Sequence, residues 1–300
     1  MMRTLAWAPV ALMIVTVGAL PACAQEQQAP PAEAEAPSEQ PAPMFADASA
    51  LLDALETADA DLRTLQSKIN YMRIKALALD VEARVGTLYF TSEPSPDGGR
   101  PQRMFALDFA QRWVGNTLQN NSRIVLVFDG RRLFEKNFAD RLMQVRLVVK
   151  PGEEQRDPLR LGEGPLPIPI GQRKADILQV YEARIAPDLT EGLETPIDAE
   201  EMEARVYDTV RKQVAEQPDR TVQLHLTARG DDDLTEIRLW YRRGADGRLL
   251  PMLARAVAAD GDISVIQLAG LRINEPLDKA ATEAMATQAP PDWTTEIRDF

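Results

Sequence analysis

Apolar residues recur at spacings of four and three near the start of the foldable chain: Leu51, Leu55, Ala58, Leu62, Leu65, Ile69 and Met72. Polar Asp53, Glu56, Asp59, Arg63 and Lys68 fall between them. At 3.6 residues per turn this gathers one apolar stripe, and it predicts a helix over 47–74 lying on a sheet. Asp47 or Ser49 can cap it by accepting free backbone N–H bonds. The pattern then changes to short apolar runs separated by turn residues. Strands are predicted at 81–90, 104–109, 124–128, 131–136 and 142–150. A second group follows at 221–228, 234–243, 248–258 and 262–274. Gly86 inside the first run predicts a bulge or a close backbone approach. Asp129-Gly130 predicts a two-residue hairpin turn. Consecutive hairpins of this kind make an antiparallel meander, so the fold class is α+β.

A different segment separates the two strand groups. Residues 162–171 are apolar but carry Pro165, Pro167 and Pro169, which remove donors and fix φ. Leu166, Ile168 and Ile170 in this irregular stretch are candidate lid residues. A helix is predicted over 172–185, with Ile177, Leu178, Tyr181 and Ile185 on one side; Ile177 and Leu178 extend the candidate lid. Another helix is predicted over 198–216, capped by Asp198 with Glu201 three residues on, and striped by Met202, Val206, Val210 and Val214.

The N-terminus changes the picture from a cytoplasmic to an exported protein. Arg3 supplies a positive start, 5–20 is an apolar core, and Pro21-Ala22-Cys23-Ala24 follows. This predicts a signal peptide over 1–24. Two cleavages fit. Ala22-Cys23-Ala24 is a signal-peptidase site that leaves Gln25 first. Leu20-Pro21-Ala22-Cys23 resembles a lipobox, which would leave a lipidated Cys23. Residues 25–46 are rich in Pro, Ala, Glu and Gln, with almost nothing to bury, and read as an extended tether. The folding domain is then 47–300.

Cys23 is the single cysteine, so an internal disulfide and a cysteine zinc cluster are both excluded. The net charge of −12 disfavours nucleic acid or an anionic bilayer as main partner. No GxSxG elbow, P-loop, GxGxxG turn or HExxH helix occurs, and the sole histidine, His225, points away from the leucine face of its strand. Catalysis and cofactors are therefore not expected. The expectation is an apolar container, with Val85, Leu88, Phe90, Met104, Phe109, Val127, Leu147, Leu239, Tyr241 and Ile266 as candidates to line its groove or core.

The pattern resembles the outer-membrane lipoprotein carrier (LolA) family over roughly residues 47–280. The resemblance rests on the leading helix, Val-Gly-Thr-Leu-Tyr-Phe at 85–90 and Val-Phe-Asp-Gly-Arg-Arg-Leu-Phe at 127–134. The proline-rich turn into a helix and the stretch 270–277 with Asn274 add to it. It implies an unclosed half-barrel whose apolar concave face is covered by helices. It also implies periplasmic carriage of acylated ligands such as lipoproteins, without chemistry, between an inner-membrane donor and an outer-membrane acceptor. An anchored acceptor or an envelope sensor of the same fold is the alternative. Family carriers have an Arg-Pro pair after the glycine-containing strand; here the stretch reads Ser92-Glu93-Pro94, and the helix at 198–216 looks like an insertion.

Overall fold

A computed structural model of the chain describes residues 44–58, 60–78, 80–94, 101–149, 173–196, 199 and 201–298. The expected signal peptide over 1–24 with Cys23, residues 25–43 of the expected tether, and the lid residues Leu166, Ile168 and Ile170 lie outside the described residues. The end of the expected tether is not free of the fold, because Met44 and Phe45 pack half-buried against the main apolar cluster of the sheet. The elements run α1 (Ala48–Ala58), β1 (Thr64–Lys75), β2 (Asp80–Glu93), β3 (Gln102–Val114), β4 (Thr117–Gln119), β5 (Ile124–Phe128), β6 (Arg132–Asn137) and β7 (Leu142–Leu147). Then come α2 (Lys174–Val180), β8 (Tyr181–Ile185), α3 (Glu201–Ala215), β9 (Thr221–Ala228), β10 (Leu234–Arg243), β11 (Leu249–Ala258), β12 (Ile263–Ile273), α4 (Lys279–Met285) and β13 (Thr294–Arg298).

The described strands form one sheet in the order β13-β7-β6-β5-β3-β2-β1-β12-β11-β10-β9-β8, with β4 beside β3. Neighbours are antiparallel except β13, which runs parallel to β7. β13 and β8 stand at opposite ends of the order, so the sheet is unclosed. One face, here the inner face, is a continuous apolar cluster that reaches from Phe128 on β5 to Tyr181 on β8. Leu51 and Leu52 of α1 and Ile177 of α2 are buried in it. The sheet therefore curves around these two helices, as the expected α+β half-barrel does. The outer face carries two smaller clusters, one beneath α3 and one beneath α4.

Several predicted elements change type. The helix expected over 47–74 ends at Ala58, and β1 takes the rest of its stripe. Leu65 and Ile69 are four apart, an even spacing that puts both on the inner face of a strand as readily as on one side of a helix. Met72 comes three later and so falls on the outer face, where α3 covers it. A strand buried on both faces imitates a helical period. The helix expected over 172–185 likewise stops at Val180; Tyr181, Ala183 and Ile185 alternate with Glu182 and Arg184 along β8. The turn at Asp129-Gly130 shifts by one residue. Gly130 and Arg131 are its central pair, with Gly130 at φ +87°, while Asp129 takes backbone N–H bonds from Arg131 and Arg132 on Oδ1.

Other predictions hold in detail. The Asp47 carboxylate caps α1 through the Ala50 N–H at 2.8 Å. Gly86 sits at a register shift between β2 and β3. Asn274, in the left-handed region at φ 55°, accepts from the Arg63 N–H at 2.7 Å and donates to the Asp61 carbonyl at 3.0 Å. It thereby stitches the end of β12 to the start of β1. The sequence reading missed β4, α4 and β13. α4 is capped by Asp278, whose Oδ1 accepts from the Ala281 N–H at 2.9 Å. The buried Lys136 ammonium donates to the Ala284 and Ala286 carbonyls at its other end.

Candidate functional site

The candidate groove residues divide between the two faces. Leu88, Phe90, Phe109, Leu239, Tyr241 and Ile266 are buried together on the inner face. Val127 is buried, and Met104 half-buried, on the outer face against α4. Leu147 is half-buried at the end of β7. Ile177 of α2 is buried in the inner cluster, and Leu178 packs against it half-buried. The inner face is thus apolar, as expected, and filled by α1 and α2. These helices are clasped by exposed contacts: the Lys174 ammonium to Asp53 at 2.8 Å, and the Lys174 N–H to Glu56 at 3.2 Å.

An open cleft lies on the other face. α3 crosses β1, β12, β11 and β10 with Tyr207, Val210 and Val214 buried. The buried side of α3 is therefore turned from the predicted stripe, and Met202 and Val206 stand half-buried at its edge. Between that edge and the sheet is a cleft of about 530 Å³. Met72, Val85 and Val265 make its floor, Trp113 stands at one side, and Met202 and Val206 form the helical wall. Val85 is 38% exposed here, a large apolar side chain left open in the cleft. A volume between roughly 300 and 1,000 Å³ with a mainly apolar lining is typical of a small-ligand site.

The rim is polar and internally paired. Asn70 donates to Gln267 at 2.9 Å, and Gln267 donates on to Gln213 of α3. Glu201 pairs with Arg205 one turn along, and Asn116 reaches Glu201 at 3.4 Å. Arg84 and Arg112 share the Glu82 carboxylate at 2.6 and 2.9 Å. Burial works to raise the Glu82 carboxyl, but the hydrogen bonds and charges of the two arginines outweigh it and hold the group below the usual range. The cleft can therefore take an apolar body while its charged groups stay neutralised. Sequence reasoning named Val85, Met202 and Val206 but not Trp113, and nothing in the local pattern marks that tryptophan.

No family profile matches the chain, and no curated protein matches it in sequence. Solved structures similar to it include an uncharacterized conserved protein from Thermus thermophilus, at 9% identity and TM-score 0.39, covering 83% of this chain and 97% of that one. A LolA superfamily protein from Nitrosomonas europaea is 12% identical with TM-score 0.29, covering 79% and 98%. A putative outer membrane lipoprotein-sorting protein domain from Vibrio parahaemolyticus is 9% identical with TM-score 0.31, covering 78% and 94%. At such scores the site has to be argued from its own geometry.

His225 belongs to an ion network on the outer face rather than to the cleft. Its Nε2 lies 3.4 Å from Glu236, which also pairs with Arg238 and lies 3.8 Å from Arg255. Glu191 pairs with Arg184 and, at 3.1 Å, with Arg238. Burial lowers the His225 pKa first, and Arg238 and Arg184 lower it further against the pull of Glu236 and Glu191. The unfolded chain then binds the proton more readily than the folded one. Stability should fall as pH drops below the ordinary value of 6.5 and level off below the depressed folded value. The carboxylates of Asp61, Glu82, Glu191 and Asp262 are held below their ordinary range, so their loss comes at still lower pH. Denaturant midpoints between about pH 7 and pH 5 test this. His225→Gln should flatten that interval, and an unchanged slope in the variant would assign the effect to another group.

Among the described residues, no helix is long and apolar enough to cross a membrane, and no cluster of His, Cys, Asp and Glu could hold a metal ion.

Proposed function

We propose that this protein binds a long-chain apolar ligand, an acyl chain, and carries it without chemistry. The observation that supports the reading is the half-open cleft between α3 and the outer face, floored by Met72, Val85 and Val265 and walled by Met202 and Val206. Burying methylenes contributes roughly 0.8 kcal/mol each, so about ten of them approach the 8 kcal/mol of a micromolar complex without any specific motif. The finer reading is periplasmic transport of acylated lipoproteins toward the outer membrane. It rests on the export signal read in 1–24 and on the resemblance of the pattern to the carrier family.

A fluorescent fatty-acyl probe tests the binding. Wild type should enhance its emission, and a lipopeptide should displace it. Val206→Asp with Met202→Asp places two carboxylates in the cleft wall at positions that are already half-exposed, so the fold should persist. Probe affinity should fall tenfold or more. If wild type binds no better than an unrelated acidic protein, the carrier reading is wrong. If Val206→Asp is silent and Leu178→Asp on α2 abolishes binding instead, the ligand enters the inner face after α1 and α2 move aside.

A further inference from the structure

The other end of α3 carries a site of opposite character. A cavity of about 340 Å³ opens between the last turns of α3 and the ends of β10, β11 and β12. Three arginines line it, Arg220, Arg242 and Arg243, and no Asp or Glu does. That is unexpected in a chain with 46 acidic and 34 basic residues. Among the described residues, none of the three has a carboxylate partner, whereas Arg84, Arg112, Arg123, Arg238 and Arg248 are all paired.

Their present bonds use little of what they offer. Arg220 donates to the Arg243 carbonyl at 2.6 Å, and Arg242 donates to the Gln213 carbonyl in the last turn of α3 at 2.6 Å. Arg243 stacks over the Phe45 ring at 5.5 Å. A guanidinium has five N–H donors, so most are still available, and the buried Nε of Arg242 has no partner. The C-terminal end of α3 contributes only about half a negative charge, against three positive ones. The bland role of a helix C-cap thus accounts for one N–H of Arg242 and for neither of the other two charges. Leu250, Met252 and Leu271 form an apolar wall beside the arginines.

We infer that this cavity is a binding site for a phosphate group, presented either by a phospholipid or as the free ion. Planar guanidinium forks match phosphate oxygens in geometry as well as in charge. The volume admits a phosphate and a glycerol-sized group. The apolar wall then offers a path for the first part of a tail, which favours the lipid. This site stands apart from the acyl cleft at the N-terminal end of α3, and its test does not depend on that cleft.

Calorimetric titration of the full-length protein separates the sources. The ligands are inorganic phosphate, a short-chain phosphatidic acid below its micelle concentration, and the matching phosphatidylcholine. Phosphatidic acid should bind, and raising salt should weaken it. Arg220→Gln with Arg243→Gln should weaken binding tenfold or more while leaving the acyl-probe affinity and the melting temperature within error. Inorganic phosphate binding as tightly as phosphatidic acid would assign the site to the free ion. Should the double variant prove unstable, a melting temperature of the wild type that rises with phosphatidic acid and not with phosphatidylcholine reads the same contact. The proposal is overturned if neither phosphate nor phosphatidic acid binds, or if the double variant binds both as wild type does.

Discussion

Gly86→Ala should be the most damaging single-methyl change in this protein, lowering stability by roughly 3 kcal/mol or more. A Cβ at residue 86 would lie 2.0 Å from the Asp108 carbonyl oxygen and 2.9 Å from the Phe109 Cα. Both obstacles are backbone of the paired strand β3, so neither can rotate aside as a side chain does. The position also carries the register shift between Val85 and Gly86, where β2 bends against its neighbour. Val85, on the other side of that shift, lies in the floor of the α3 cleft. The variant should therefore unfold at lower denaturant concentration and lose acyl-probe affinity together. Gly230→Ala is the control, because a Cβ there meets nothing within 4 Å. A Gly86→Ala protein as stable as wild type would mean that β2 and β3 do not approach this closely in solution.

Trp240→Ala should cost about 3–5 kcal/mol, the range for removing a large buried aromatic side chain. Trp240 on β10 is fully buried at the centre of the outer cluster beneath α3. Its indole N–H donates to the Leu189 carbonyl at 2.7 Å and so ties the segment after β8 to the sheet. Leu189 and Leu193 of that segment pack in the same cluster as Tyr207 and Val210 of α3. Losing the ring leaves a cavity and an unsatisfied carbonyl, and it loosens the support on which α3 rests. Trp240→Phe should keep much of the packing and lose the hydrogen bond, giving a smaller cost of about 1–3 kcal/mol. Thermal unfolding of the three proteins measures both steps. Similar costs for Phe and Ala would show that the bond to Leu189, rather than the ring's volume, holds the segment.

The strands of the second half were legible because turn residues such as Gly230, Gly244, Gly247 and Gly261 punctuate the runs between them. β9 and β10 match the spans read from alternation and turns, and β11 and β12 differ by a residue at each changed end. The cap at Asp47 and the close approach at Gly86 were legible too, since each depends on a local property of one residue type. β1 was not. Ile69 and Met72 face opposite sides of the sheet, and only the arrival of α3 on the outer face makes both positions apolar. β13 could not be read either. Its five residues are exposed, and what holds it is parallel pairing with β7, about 150 positions earlier in the chain.

Sequence alone determined the class of the molecule: an acidic chain with a single cysteine, and an antiparallel sheet built from hairpins with a helix in front. These follow from composition, period and turn chemistry, which are properties of neighbouring residues. Tertiary structure decided where the apolar surface is used up and where it is left open. The groove candidates Leu88, Phe90 and Phe109 became core because α1 and α2 fill the inner face. Val85, Met202 and Val206 became a cleft because the buried side of α3 turned toward Tyr207 and left their edge uncovered. The arginines at 220, 242 and 243 met only because α3 and the ends of β10 and β11 converge. Such outcomes depend on how helices seat against a curved sheet, a long-range balance of packing that no local period encodes.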